Sequence, residues 1–402
     1  MSQGLQTLRI AHFVETLASG GAEMLAVRVA SRLAERGREV HLIVARADGP
    51  LRRWLPATVK LGDLECRRAS GAPWNALVYF LSLRARLERY VRTNRIDVLQ
   101  CHLPMANFQG LMLARRQVCR VLPTIHNERE FDYGGRGGGF RKPLRRAAYR
   151  QLIVRCPALI AVSEQARTAM AAALRVDGAA RMRISVVPNG VPVPPRATPV
   201  ERAAARVRWG VEGDEILIVG VGRLTAQKNF RTLIEALAMS VAGSQKWRCI
   251  IAGEGELRAE LARMVSQAGL DGYIRLAGHV DDTADLLRAA DVFCLPSMFE
   301  GMPLAALEAM AHELPVIASD LPVLADLVAD GVGGRLVAVG DAGALSRAIL
   351  EVVGDDTLRR RWGLAAGAAV RERYDLDMVV DRLEAIYGAI LDPGRSEYSG
   401  AD

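Results

Sequence analysis

Glu215-Ile216-Leu217-Ile218-Val219-Gly220-Val221-Gly222-Arg223-Leu224, with Lys228-Asn229 close behind, is the stretch on which the fold turns. An apolar run too short for a helix enters glycines, and an amphipathic segment begins at 229. Strand, glycine turn and helix start make one βα unit of a parallel sheet. The same geometry aims backbone N–H groups at an anion. A dinucleotide fingerprint would need a third glycine, but Thr225 stands at that position.

Outward from this unit the apolar period keeps switching between strand-like and helical. Downstream, strands are expected at 247–252, 274–276, 292–295 and 316–318. Helices are expected at 229–238, 257–268, 283–289 and 304–311, with several more to follow. Upstream, 191–199 holds four prolines in nine residues and no periodicity, so 191–205 reads as a linker or hinge. Before it, strands are expected at 8–14, 40–45, 97–101, 120–125, 158–162 and 184–187. Helices are expected at 23–36, 74–94, 107–116, 141–155 and 164–174, and 134–139 reads as a loop. The fold class is α/β: two doubly wound Rossmann-like domains, 1–190 and 206–372, facing a central cleft. Residues 373–402 are expected to form a C-terminal helix that crosses back to the first domain, and a tail.

At 402 residues and 50% apolar, the chain can fill two ordinary cores. No run approaches the ~20 apolar residues that span a bilayer. Arg9 and Glu15 interrupt the apolar start, which disfavours a signal peptide. The six cysteines form no C-x-x-C pair, which suits reduced thiols in a cytosol. Charge is lopsided. Residues 1–200 carry 32 Lys and Arg against 14 Asp and Glu, whereas 201–402 carry 21 against 31. A basic first half suits an anionic surface. Arg84, Arg86 and Arg89, followed by Arg92 and Arg95, stand beside Leu77, Val78, Phe80, Leu81, Leu83 and Leu87; Arg141, Lys142, Arg145, Arg146, Arg150 and Arg155 form a second basic segment. Neither interleaves aromatics as stacked bases would need, so nucleic acid is not an expected partner.

Two constellations carry chemistry. Arg223 and Lys228, five apart at the glycine turn, can neutralise a diphosphate leaving group as a metal otherwise would. The second is Pro296-Ser297-Met298-Phe299-Glu300-Gly301-Met302-Pro303-Leu304-Ala305-Ala306-Leu307-Glu308, directly after a buried strand. Pro303 suits the first helical position and would leave N–H groups near Leu304 and Ala305 free. Glu300 in the loop and Glu308 in the helix can grip two sets of hydroxyls. No Asp-x-Asp pair follows a strand and no His/Cys cluster has metal spacing, so neither a metal nor another cofactor is expected.

Together these stretches resemble the donor domain of the family-four retaining glycosyltransferases, which have the GT-B fold. The resemblance rests on Val221-Gly222-Arg223-Leu224, Gln227-Lys228-Asn229, Ala252-Gly253-Glu254-Gly255, Ala277-Gly278-His279-Val280, Leu295-Pro296-Ser297 and the E-x7-E signature from Glu300 to Glu308. It implies a UDP- or GDP-sugar donor. Arg223 and Lys228 would hold the diphosphate, Glu300 the sugar hydroxyls, Glu308 the ribose, and the backbone near His279-Val280 the base. Gly222, Gly301, Met302, Pro303, Leu304 and Ala305 complete that donor-binding set. The first half matches more thinly. Gly20-Gly21-Ala22-Glu23 resembles the family's glycine loop, which adds Gly21 to the donor set. Thr124-Ile125-His126-Asn127 places His126 toward the donor sugar as a catalytic candidate beside Glu300, Arg223 and Lys228; His102 is a weaker counterpart. His12, His41 and His312 read as structural.

The resemblance further implies retention and, as acceptor, a lipid-linked glycan of polysaccharide, exopolysaccharide or lipopolysaccharide biosynthesis. The enzyme would be cytoplasmic, peripheral on the inner membrane face through an anionic membrane surface. Two alternatives stay open: a nucleotide-sugar 2-epimerase of similar fold, and a non-catalytic nucleotide-sugar-binding subunit of an assembly complex.

Overall fold

The computed structural model describes residues 8–67, 73–128, 142–240 and 246–391. The expected loop at 134–139 lies outside them. Contacts divide the chain into two units. Unit 1 is Met1–Asn189 with Leu376–Asp402, and unit 2 is Gly190–Asp375.

Unit 1 is built on a parallel sheet of seven strands in the order β3-β2-β1-β4-β5-β6-β7. They are β1 (Arg9–Thr16), β2 (Glu39–Arg46), β3 (Lys60–Asp63), β4 (Val98–His102), β5 (Arg120–Ile125), β6 (Leu159–Ala161) and β7 (Ile184–Val186). Every residue of β4 is buried, as a sheet covered on both faces requires. Helices α1 (Gly21–Glu35), α2 (Pro73–Thr93), α3 (Leu103–Arg115), α4 (Lys142–Arg155), α5 (Glu164–Leu174) and α6 (Gly178–Met182) supply the crossovers. On α2, Tyr79, Leu83, Leu87 and Val91 recur every four residues and enter the core.

Unit 2 repeats the plan with six parallel strands, β10-β9-β8-β11-β12-β13. Its strands are β8 (Ile216–Val221), β9 (Trp247–Ala252), β10 (Ile274–Gly278), β11 (Val292–Leu295), β12 (Val316–Ser319) and β13 (Gly334–Val337). Its helices are α7 (Pro199–Trp209), α8 (Phe230–Ser240), α9 (Arg258–Gln267), α10 (Thr283–Ala289), α11 (Leu304–Ala311), α12 (Pro322–Val328), α13 (Ala342–Gly354) and α14 (Asp356–Arg373). The expected linker 191–205 is corrected here, because its last part is the start of α7. Thr198 accepts from Glu201 N while the Glu201 carboxylate takes the Thr198 N–H, and Pro199 fills the first helical position. That capping box hides among the prolines.

The last helix, α15 (Leu376–Leu391), belongs to unit 1. It packs on α1, where Arg36 bonds Asp377, Asp381 and Glu384, and the 6% exposed Arg38 side chain meets Glu384 at 2.6 Å. The Tyr387 hydroxyl donates to the side-chain amide oxygen of the buried Gln100 on β4. Five of the six cysteines are buried and all are free.

Candidate active site

Both sheets change winding direction at one point, between β1 and β4 in unit 1 and between β8 and β11 in unit 2. In doubly wound sheets, ligands bind beyond the carboxyl ends of the strands at that switch point. The residues singled out in the sequence follow β8, β10 and β11 in unit 2, and β1, β4 and β5 in unit 1.

In unit 2 the β8–α8 turn lies against the β9–α9 turn. Gly222 N bonds Ala252 O at 3.0 Å, and Leu224 N bonds Glu254 O at 2.9 Å. Glycines make this approach possible. At Gly253, whose φ is +145°, a Cβ would stand 1.9 Å from the Gly222 carbonyl oxygen, and at Gly255 one would stand 2.3 Å from that of Leu224. The sequence signalled Gly253 and Gly255 only as a matching stretch, without this role. Leu224 is buried, and its neighbour Arg223 is exposed with no ion pair among the described residues. A Cβ at Gly222 would meet the Lys228 Cγ and Cε at 3.2 Å, so the bare glycine lets the lysine chain lie across the turn.

Lys228 reaches Glu300 after β11: Nζ donates to Oε1 at 2.5 Å, with side chains 14% and 5% exposed. Ser297, fully buried, donates to the same Oε1 at 2.6 Å. The glutamate is thus anchored twice through one oxygen. Its Oε2 makes no hydrogen bond among the described residues. Met298 N bonds Gln227 O, and the Gln227 amide donates to Phe299 O, which ties the two loops together.

Beyond Glu300, Gly301 and Pro303 are buried and Met302 is half-buried. Pro303 caps α11 rather than opening it, and Ala306 and Leu307 bond back to its carbonyl. The N–H groups of Leu304 and Ala305 therefore lie in the first turn with no helical partner. Glu308, on the same helix, accepts from the Thr283 hydroxyl at 3.5 Å. His279 and Val280 follow β10, with His279 Nε2 3.1 Å from Asp281. Arg223, Lys228, Glu300, Glu308 and His279 therefore lie at one edge of one sheet.

In unit 1, Gly21 opens α1 and Gly20 caps it. A Cβ on Gly20 would lie 2.1 Å from the Glu23 carboxylate, so that carboxylate already sits over the helix N-terminus. His126 follows β5, and its Nε2 lies 3.1 Å from His102 Nδ1 at the end of β4. His102 Nε2 in turn lies 3.1 Å from His12 Nδ1 on β1. The sequence reading set His12 aside as structural; the structure joins it to His126 through His102. Register explains the link. His12 pairs with Gln100 and His102 with Thr124, so each histidine lies two residues farther along the next strand, on one sheet face.

The basic helices divide. On α2, Leu83 and Leu87 are core, whereas Leu77, Val78 and Leu81 are 60%, 62% and 43% exposed. On α4, Leu144 and Val154 are 71% and 68% exposed, near the exposed Arg146, Arg150 and Arg155. No helix among the described residues is long and apolar enough to cross a membrane.

Residues 19–193 match the family described as Glycosyltransferase Family 4, and 201–368 match Glycosyl transferases group 1. The phosphatidyl-myo-inositol mannosyltransferase of Mycolicibacterium smegmatis is 30% identical over 95% of this chain and 94% of its own. The D-inositol 3-phosphate glycosyltransferase of Geodermatophilus obscurus is 30% identical over 92% of this chain and 85% of its own. Among solved structures, sucrose-phosphate synthase from Thermosynechococcus elongatus superposes with TM-score 0.81 at 19% identity, over 96% of this chain and 100% of that one. Anabaena HepE in complex with UDP-glucose superposes with TM-score 0.79 at 20% identity, over 95% of this chain and 100% of that one. With both halves matched in series and a relative of this identity along nearly the whole chain, the protein belongs to the family-four glycosyltransferases and has their GT-B fold.

Proposed function

We propose that this glycosyltransferase moves a sugar from a UDP- or GDP-sugar to a lipid-linked glycan, with retention of anomeric configuration and without a metal. The observation that carries the reading is the Lys228–Glu300–Ser297 cluster beside the unpaired Arg223. An ammonium has three N–H bonds, so Lys228 can keep Glu300 and still donate to phosphate oxygens. With Arg223 it supplies two positive charges to a departing diphosphate, the charge balance a divalent metal would otherwise bring. Oε2 of Glu300 is left for sugar hydroxyls, Glu308 for the ribose, the backbone near His279-Val280 for the base, and the N–H groups of Leu304 and Ala305 for phosphate. His126 contacts the donor sugar, and Gly21 leaves room for the donor's approach. In the transfer, the C1–oxygen bond to the diphosphate breaks while the acceptor oxygen bonds to the same face of C1. The acceptor's proton passes to the departing phosphate oxygen. HepE bound to UDP-glucose and the mannosyltransferase relative support a nucleotide-sugar donor. The lipopolysaccharide core glycosyltransferase LpsE of Rhizobium meliloti, 35% identical over 40% of this chain, supports an acceptor in surface-glycan assembly.

The test is transfer from a panel of UDP- and GDP-sugars to polyprenyl-linked or lipid-A-type acceptors, with product anomers read by NMR. A retained anomer formed equally in EDTA is expected. An inverted product, or strict dependence on Mg²⁺ or Mn²⁺, would overturn the reading.

The acceptor's lipid places the enzyme at the cytoplasmic membrane face. The exposed Leu77, Val78 and Leu81 beside basic residues of α2 support this, since each Lys or Arg near an anionic leaflet contributes about 1 kcal/mol. Sedimentation with anionic vesicles that weakens with salt and vanishes with neutral lipid is expected; recovery in the supernatant under all conditions would leave an enzyme that works off the membrane.

A further inference from the structure

The three histidines His12, His102 and His126 form an unbroken chain of ring nitrogens, with both links at 3.1 Å. His12 and His102 are 0% and 1% exposed. Burial pushes all three pKa values down, to about 3 for His12 and about 4 for His126, so each ring is neutral at pH 7 and carries one proton.

Three protons must be shared between two hydrogen bonds and two chain ends. A neutral His102 donates from one nitrogen only, so donation on one side forces acceptance on the other. Both bonds therefore run in the same direction, and the third proton sits at one end. One end is His12 Nε2, which is buried without a partner among the described residues. A proton there would be an orphaned N–H, a rarer defect than a bare acceptor. The other end is His126 Nδ1, on a half-buried residue and with no hydrogen bond among the described residues.

We propose that His102, backed by His12, is a positioning residue that sets the tautomer of His126, so that its outer Nδ1 presents an N–H. This rests on the reading that His126 contacts the donor sugar. On it, His126 gives a hydrogen bond to a sugar oxygen and takes no proton from the acceptor, in keeping with a proton that leaves on phosphate.

The tautomer is read by NMR on protein labelled with ¹⁵N in its histidine rings, with His126 assigned by the signals lost in His126→Gln. In the unmodified protein, a protonated Nδ1 and a bare Nε2 are expected; the opposite assignment overturns the proposal. His102→Leu should mix the two tautomers and lower kcat about tenfold, the size of one neutral hydrogen bond, with little change in donor KM. His102→Asn, whose amide stands where Nδ1 stood, should recover most of the turnover. A His126 signal and kcat unchanged in His102→Leu would overturn the proposal as well. If no donor sugar is transferred at all, the glycosyltransfer reading fails, while the tautomer in the unmodified protein still decides this one.

Discussion

The two units wind their strands in the same order around the same kind of switch point, yet furnish it in opposite ways. Unit 2 places Arg223, Lys228, Glu300 and Glu308 there, and lets a half-buried lysine and a buried glutamate satisfy each other at 2.5 Å. Unit 1 places three neutral imidazoles there, linked to one another and to no carboxylate among the described residues. Sheet order fixes where a ligand sits; the side chains after each strand fix what charge it can carry. A diphosphate demands cations, and among the described residues unit 2 aims two of them, Arg223 and Lys228, from its switch point. Part of the positive balance of unit 1 lies elsewhere, at exposed arginines of α2 and α4 such as Arg86, Arg89, Arg146 and Arg155.

Removing the cations breaks this contrast most directly. Lys228→Ala and Arg223→Ala should each lower donor turnover ~100- to 1000-fold, the usual loss for one group that stabilises transition-state charge. Lys228→Ala also leaves Glu300 buried without its counter-charge, so its thermal stability should fall too. Steady-state kinetics with the best donor checks this. Full activity in either variant would remove the phosphate assignment and leave the two switch points chemically alike.

The two glutamates sharpen the contrast within unit 2. Glu300→Gln should act mainly on kcat, because its hydroxyl contacts lie beside the reacting carbon, whereas Glu308→Gln should mainly raise donor KM, because ribose binding is equal in ground and transition states. The reverse split would exchange their roles.

Gly253→Ala tests the backbone that carries these charges. A methyl 1.9 Å from the Gly222 oxygen, at a φ of +145°, must push the two turns apart. A cost of about 1–3 kcal/mol and a matching loss of donor affinity are expected. A stable variant with normal affinity would show that the close approach of the turns does not position Lys228.

Much of this was legible in the residues. Strands 120–125, 247–252 and 292–295 and helices 164–174, 283–289 and 304–311 have the limits the apolar period implies. Strand β3 escaped because Lys60-Leu61-Gly62-Asp63 is a short edge strand in which Gly62 alone is buried. Helix α7 escaped because four prolines masked the Thr198–Glu201 box. Arg223, Lys228 and Glu300 were legible because charged residues beside glycines have few structural uses. The pairing of Lys228 with Glu300 was not, because the loops meet across 72 residues of sequence. His12 was invisible for a related reason: nothing local to residues 8–14 tells which face of which neighbouring strand it will meet.

Acid separates the units along their whole difference. In unit 1, burial lowers the pKa of His12, His41, His102 and His126 from the usual 6.5; in unit 2 it does so for His312. Below pH 6.5 the unfolded chain takes up protons that these folded rings refuse, so protons favour unfolding. The stability is present above pH 6.5 and is lost as pH falls toward about 4 for His126 and about 3 for His12. The slope is about 1.4 kcal/mol per pH unit for each ring that stays neutral. Between pH 6.5 and about 5 imidazole is the side chain whose ordinary pKa is crossed, so unit 1, with four lowered rings against one, should open first. Hydrogen exchange followed by mass spectrometry should show protection falling in β1, β4 and β5 before β8, β9 and β11. His12→Phe, which keeps an aromatic ring and removes one titrating group, should flatten the slope in unit 1 and leave unit 2 unchanged. Equal loss of protection in both units across that window would mean that the imidazole chain is already hydrated and that its burial does not distinguish the two sheets.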